Sequence, residues 1–230
     1  MIVRFSVHLQ ASPEQFARLE ALQQLFVKAC NSLTPVVRET RCWNRVGLHH
    51  MVYRQLREKF PQLGSQMACN AIYSVSRACR IVYQSPGSPW LAGRQPDQTL
   101  PLIKFEGAAP VYFDRHTLSL RGGVVSMFTL DGRMRFQINL SREQEAHFVR
   151  DRLREVVLQS RAGVYFLSFV FLTEELEASA EGQSDEHLPE YLVVQQNPSQ
   201  DLSEVSGDTR DMPRIAAVVD RSGPLLTGVA

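Results

Sequence analysis

Seven arginines, Arg38, Arg41, Arg45, Arg54, Arg57, Arg77 and Arg80, lie between Trp43, Tyr53, Tyr73 and Tyr83 or close beside them. A guanidinium fork matches phosphate oxygens and base edges, and an aromatic face can stack on an unpaired base. Backbone contacts of this kind are sensitive to salt because they release counterions. Taken alone, Tyr73 or Tyr83 reads as core packing. Taken together, the arginines and Tyr53 read as a nucleic-acid contact set.

Other chemistries fit the sequence less well. His49 and His50 are adjacent, so on a helix they point about 100° apart and do not share one ion. His8, His116, His147 and His187 lack ligand spacing, and Cys30, Cys42, Cys69 and Cys79 form no Cys-x-x-Cys pair. No metal site is complete, and there is no Gly-x-Ser-x-Gly nucleophile motif. Arg121-Gly122-Gly123 reads as a turn rather than a phosphate loop. Asp220, at the end of the apolar run Ile215–Val219, is the type of carboxylate that holds a divalent ion. It is equally an ordinary strand-end aspartate, because two-metal cleavage needs several converging carboxylates.

The net charge of +1 conceals a division along the chain. Residues 1–162 carry 22 Lys and Arg against 12 Asp and Glu, and residues 163–230 carry 3 against 12. A basic body with an acidic tail points to a polyanionic partner. No apolar run approaches a membrane span, no secretory signal is recognisable, and reduced cysteines fit a cytoplasmic setting.

The elements that must position these residues can be read in order. Ile2 to Leu9 alternates as a strand with Val3, Phe5, Val7 and Leu9 on one face. Ser12-Pro13-Glu14-Gln15 is a capping box opening a helix that Pro35 should end or kink. A second helix spans about Arg45 to Phe60, and a third, capped by Ser65, carries a stripe from Met67 to Val82. Arg77 and Arg80 lie off that stripe and are expected to face one phosphate track.

Beyond the Pro- and Gly-rich loop 85–99, short strands are predicted at 102–105, 111–113, 117–120, 124–130, 134–140, 156–159 and 164–172. Asp131-Gly132 marks a hairpin, and Ser141–Gln144 caps a short helix. An acidic stretch follows, with one more strand at 191–194. The sequence thus predicts an α+β chain: residues 1–11 and 100–172 as one antiparallel β-barrel, 12–99 as an inserted three-helix lobe, and 173–212 as an acidic linker.

Several strings resemble one family: Phe26–Asn31, Leu48-His49-His50 through Arg57, Phe60-Pro61 through Ala68, Ala71–Val75, and the strands Ile103–Phe105, Val111–Asp114, Leu118–Leu120 and Val124–Gly132. In matching order over residues 1–172, they resemble the N-terminal part of the transposon-encoded TnpB (OrfB) proteins, which are similar to compact type V CRISPR effectors. The motifs are diffuse, and their number gives them their weight. The resemblance implies a wedge-type barrel and a recognition lobe that hold a structured guide RNA and read a double-stranded DNA target. It also implies a magnesium-dependent RuvC-like nuclease, whose first strand would occupy 213–230 with Asp220 as first carboxylate. The family's Asp-x-Gly is here Asp220-Arg221-Ser222-Gly223, one residue longer, and no later Glu, Asp or zinc-ribbon motif follows.

The expectation is therefore a nucleic-acid-binding portion, inactive alone, of an RNA-guided endonuclease. One alternative is half of a split nuclease completed by a C-terminal partner chain. A second is an unrelated α+β protein that binds RNA or DNA.

Overall fold

A computed structural model describes residues 2–92, 99–114, 116–172 and 188–195. Strand β1 (Ile2–His8) is followed by helices α1 (Pro13–Thr40), α2 (Arg45–Lys59) and α3 (Ser65–Gln84). Then come strands β2 (Leu102–Phe105), β3 (Val111–Phe113), β4 (Leu118–Arg121), β5 (Val124–Thr129) and β6 (Gly132–Gln137). Helix α4 (Arg142–Arg150), the long hairpin β7 (Arg152–Arg161) and β8 (Val164–Leu172), and β9 (Leu192–Gln195) complete the order.

Helix α1 starts as expected. The Ser12 hydroxyl accepts from the Gln15 N–H at 3.2 Å while the Gln15 side chain accepts from the Ser12 N–H at 2.9 Å. Of the two expectations for Pro35, an end or a kink, the end is overturned, since the helix runs on to Thr40. Proline supplies no N–H to the carbonyl four residues back, here that of Asn31. The Thr34 hydroxyl donates to that carbonyl instead, at 3.2 Å. The last turn closes through Arg41, at φ 52, whose N–H reaches the Val37 carbonyl.

Asn44 caps α2 by accepting from the Val46 and Gly47 N–H groups at 3.0 and 3.2 Å. At α3 the N-cap is Gly64, and Ser65 is already helical, so the serine cap expected there is not made. The apolar stripe of α3 is where the spacing placed it: Met67, Ala68, Ala71, Ile72, Val75, Ala78, Cys79 and Val82 are all buried. Each large side chain so buried contributes about 1.5–3 kcal/mol of transfer free energy, which holds a helix of modest intrinsic propensity in place.

The strands form three antiparallel sheets, ordered β1-β8-β7-β3, β2-β9 and β4-β5-β6. The lone first strand rejoins the late ones, with Phe5 opposite Phe169 in β8. The single barrel expected from the sequence is not formed: among the described residues no sheet closes on itself, and β1 and β3 remain edges. The physical reason is that β2 leaves the large sheet to pair with β9, Ile103 opposite Val194, while β4–β6 pair only with one another. The strand expected at 191–194 therefore belongs to the body, although it falls inside the stretch assigned to the acidic linker. Residues 173–187 and 196–212 of that linker, and the RuvC-like strand 213–230 with Asp220, lie outside the described residues.

Arg121-Gly122-Gly123 is a turn. Arg121 pairs with Val124, so the glycines are the two loop residues, with φ of 53 and 73. That left-handed geometry is what a two-residue hairpin of right-twisted strands requires.

Helices and strands share one apolar core. Phe5, Phe169 and Phe171 pack edge-on or tilted against Phe148 of α4, while Phe16 of α1 lies 5.1 Å from Tyr165. Carboxamide side chains tie the same layers together. Asn31 donates to the Phe105 carbonyl at 2.9 Å and accepts from its N–H at 2.7 Å. Asn70 donates to the Tyr112 carbonyl at 2.8 Å, and Gln23 to that of Ala109 at 2.8 Å. A buried peptide group left unpaired costs about 1–3 kcal/mol, so these amides fix how the helices sit on β2 and β3.

Candidate nucleic-acid interface

Helix α2 carries Arg45, His49, Tyr53 and Arg57 at a spacing of four, which lines them along one side. That side turns toward α3. The Arg45 guanidinium lies 5.1 Å from the Tyr73 ring centroid, and the Arg57 guanidinium donates to the Leu63 carbonyl in the turn between the helices. Between them His49 stacks on Tyr53, with centroids 4.6 Å apart and planes 21° apart. Cys69 of α3 is half-buried near both arginines. Burial pushes its thiol up while Arg45 and Arg57 pull the other way, and the net shift is upward. A thiol with a raised pKa is not an activated nucleophile.

The ring contacts continue inward. Tyr73 meets Tyr112 of β3 edge-on at 5.6 Å, and the Arg77 guanidinium lies 5.6 Å from the Tyr112 centroid. Arg77 also forms an ion pair with Glu155 of β7 at 3.2 Å. Burial disfavours the charge on Arg77, but Tyr112 and Glu155 more than offset it and its pKa is raised. Burial, with Tyr191 close by, pushes the Tyr112 hydroxyl well above its ordinary value. Arg45, Tyr73, Tyr112, Arg77 and Glu155 thus form a continuous line from the surface of α2 to the four-stranded sheet.

The seven arginines have different fates. Arg77 faces the sheet, away from any shared phosphate track with Arg80, which is exposed on α3. Arg57 braces the α2–α3 turn. Arg38 is half-buried at the end of α1, and Arg41 is exposed at its C-cap. Arg45 is exposed, as is Arg54, which pairs with Glu58 one turn on at 3.1 Å. With side chains 91% and 64% exposed, that pair contributes only about 0.3–0.5 kcal/mol and yields readily to a polyanion. Trp43 and Tyr83 pack on each other at 5.3 Å, and the Tyr83 hydroxyl donates to the Pro101 carbonyl at 2.6 Å, so both serve the core. On α2 and α3 the outward set is Arg45, Arg54 and Arg80, with the His49–Tyr53 stack on the same side of α2 as Arg45.

Sequence reasoning missed Tyr112 and Glu155. Tyr112 looked like any strand aromatic, and Glu155 fell just before the predicted strand 156–159. Its signal was its sign: it is the only acid between Asp151 and Glu174. Asp114 is also committed locally, accepting from the His116 and Thr117 N–H groups at 2.9 and 3.0 Å and from the Gln66 side chain.

Among the described residues no group of three or more His, Cys, Asp or Glu is arranged to hold a metal ion, so no step through magnesium follows from them. The four cysteines are free. Among the same residues no helix is long and apolar enough to cross a membrane. No family model matches the chain, and no curated protein matches it.

Proposed function

We propose that this chain binds nucleic acid through the outer side of α2 and α3, as the guide-RNA- and target-DNA-binding portion of a TnpB-like system. The observation that carries this is the exposure of Arg45, Arg54 and Arg80 on α2 and α3, with the half-buried His49–Tyr53 stack on the same side of α2 as Arg45, in a body whose charge excess is arginine. Guanidinium groups on a folded surface supply backbone affinity, and the aromatic pair offers a stacking face for a splayed base. The more specific partners, a structured RNA and a DNA duplex, are carried by the family resemblance. So are the assignments of residues 213–230 to a RuvC-like strand, of Asp220 to a magnesium-binding carboxylate and of a C-terminal nuclease half to the complete enzyme.

An electrophoretic shift tests the reading. The full chain is titrated into the transcript of its flanking DNA and into a DNA duplex at low and moderate salt. Binding that weakens steeply with salt is expected, and absence of any shift at low salt overturns it.

A further inference from the structure

The three-stranded meander β4-β5-β6 buries one face and leaves the other open. Leu118, Met127 and Met134 are in register on the buried face, as are Leu120, Val125 and Phe136. Alternation then places Ser119, Ser126 and Arg135 across the opposite face, with Arg121 at one end and the Phe128–Arg133 pair at the other. Arg121, Arg133 and Arg135 are all exposed, and no Asp or Glu stands among the strand residues of this face. Asp131, in the β5–β6 turn, is paired with Arg18 at 3.2 Å.

The face is ordered by its own contacts. Arg133 lies flat, donating from Nε to the Ser126 hydroxyl at 3.0 Å and from Nη2 to the Ser126 carbonyl at 2.9 Å and the Ser119 hydroxyl at 3.2 Å. Its guanidinium lies 4.4 Å from the Phe128 centroid, and Phe128 is 40% exposed. The guanidinium held over the half-open Phe128 ring gives the face a fixed cation–aromatic platform.

We propose that this face is a second binding surface, specific for a single nucleic-acid strand; the proposal rests on the nucleic-acid reading above. The occupant follows from charge and shape. Three arginines without acids require a polyanion, and the open face of a short meander has no projecting helix or loop to enter a duplex groove. A base stacks on the planar Arg133–Phe128 pair, and the adjoining phosphates meet Arg135 and Arg121 across the strands. RNA and DNA single strands share this chemistry. None of these residues was singled out by the sequence, where Arg121 stood for a turn and Phe128 for a strand core.

The test uses the full chain with fluorescein-labelled oligouridylate, oligothymidylate and a DNA duplex, read by anisotropy over a salt series. Among the described residues the side chains of Arg121 and Arg135 make no hydrogen bond or ion pair, so R121A/R135A leaves the fold intact, which thermal unfolding verifies. For the single strands it should flatten the slope of log affinity against log salt by about 1.4, two phosphates at roughly 0.7 each. Phe128→Ala should weaken single-strand binding about tenfold with the slope kept. A helix variant, R45A/R54A/R80A, separates the two surfaces. If it weakens binding while R121A/R135A and Phe128→Ala match the wild type on single strands, the second surface is overturned and the first reading stands. If the wild type binds no probe at low salt, both are overturned. A preference for uridylate or thymidylate tells which strand the face takes.

Discussion

The side chain of Asn31 holds both the carbonyl and the N–H of Phe105, as a neighbouring strand would. Asn31 sits in the middle of an otherwise apolar helix face, and Phe105 ends the strand that pairs with β9. Asn31→Ala strands both backbone groups in a half-buried seam and should destabilise the protein by about 2–3 kcal/mol. Asn31→Leu should recover little of this, because it restores volume without the amide. Urea denaturation measures the loss, and hydrogen exchange should show it first at β2 and β9.

Pro35 sits in a helix that continues for five more residues, with Thr34 serving the carbonyl that proline leaves open. Pro35→Ala restores the missing backbone donor and should raise stability by about 1 kcal/mol, part of the roughly 3 kcal/mol an interior proline costs. Thr34→Val should lower it by about 1 kcal/mol, and the loss should shrink when Pro35→Ala is also present. Four chemical denaturation curves complete this cycle.

Arg77 and Arg80, one turn apart, should separate by phenotype. Arg77→Ala leaves Glu155, with its side chain 13% exposed, without its ion pair, and should cost about 2 kcal/mol of stability. Arg80→Ala should leave the melting temperature unchanged and weaken nucleic-acid binding, lowering the salt slope by about 0.9 for a duplex. An Arg80→Ala variant that loses stability, or an Arg77→Ala variant that loses only binding, would reverse these roles.

Alkaline pH should unfold the protein. Burial pushes the Tyr165 hydroxyl from 10.0 up to about 12, with Glu20 adding to the shift, and burial alone pushes the Cys79 thiol from 9.0 up to about 12. These groups remain protonated in the folded chain while the unfolded chain has released its protons. Their contribution is complete below pH 9 and is lost as pH rises from there toward 12. Tyr83, Tyr112 and Cys30 are shifted in the same direction. Stability followed by circular dichroism should fall across this window together with the rise of tyrosinate absorbance, and Cys79→Ala should reduce the slope at its lower end.

The helices were legible because their signals are local: capping boxes at Ser12–Gln15 and Ser141–Gln144 and an apolar stripe on α3. The strands were legible as segments, but not in their partnerships. Nothing near Leu102–Phe105 announces a partner ninety residues later, and so a barrel was expected where three sheets formed. Pairing is a long-range choice among apolar segments of similar pattern. The arginine-rich cassette was legible in composition alone. Spacing places Arg77 off the buried stripe, but whether it meets solvent or Glu155 depends on a strand seventy-eight residues away. Asn31 and Gln66 carry no signal of their buried roles for the same reason, since a buried amide and a ligand-binding amide have the same sequence signature.

The pairing of β1 with β8 also governs how the chain is born. Ile2–His8 is made well before its hydrogen-bonding partner, Phe166–Leu172, which is the last strand of that sheet in chain order. At 5–20 residues per second the nascent strand waits about 10–30 s, with Val3, Phe5 and Val7 unpaired, while the helices behind it are already able to form. During that interval it is a sticky end, vulnerable to the same segment of a neighbouring nascent chain. Synthesis speed and crowding on the message should therefore affect the yield of folded protein more than they affect the finished molecule's stability.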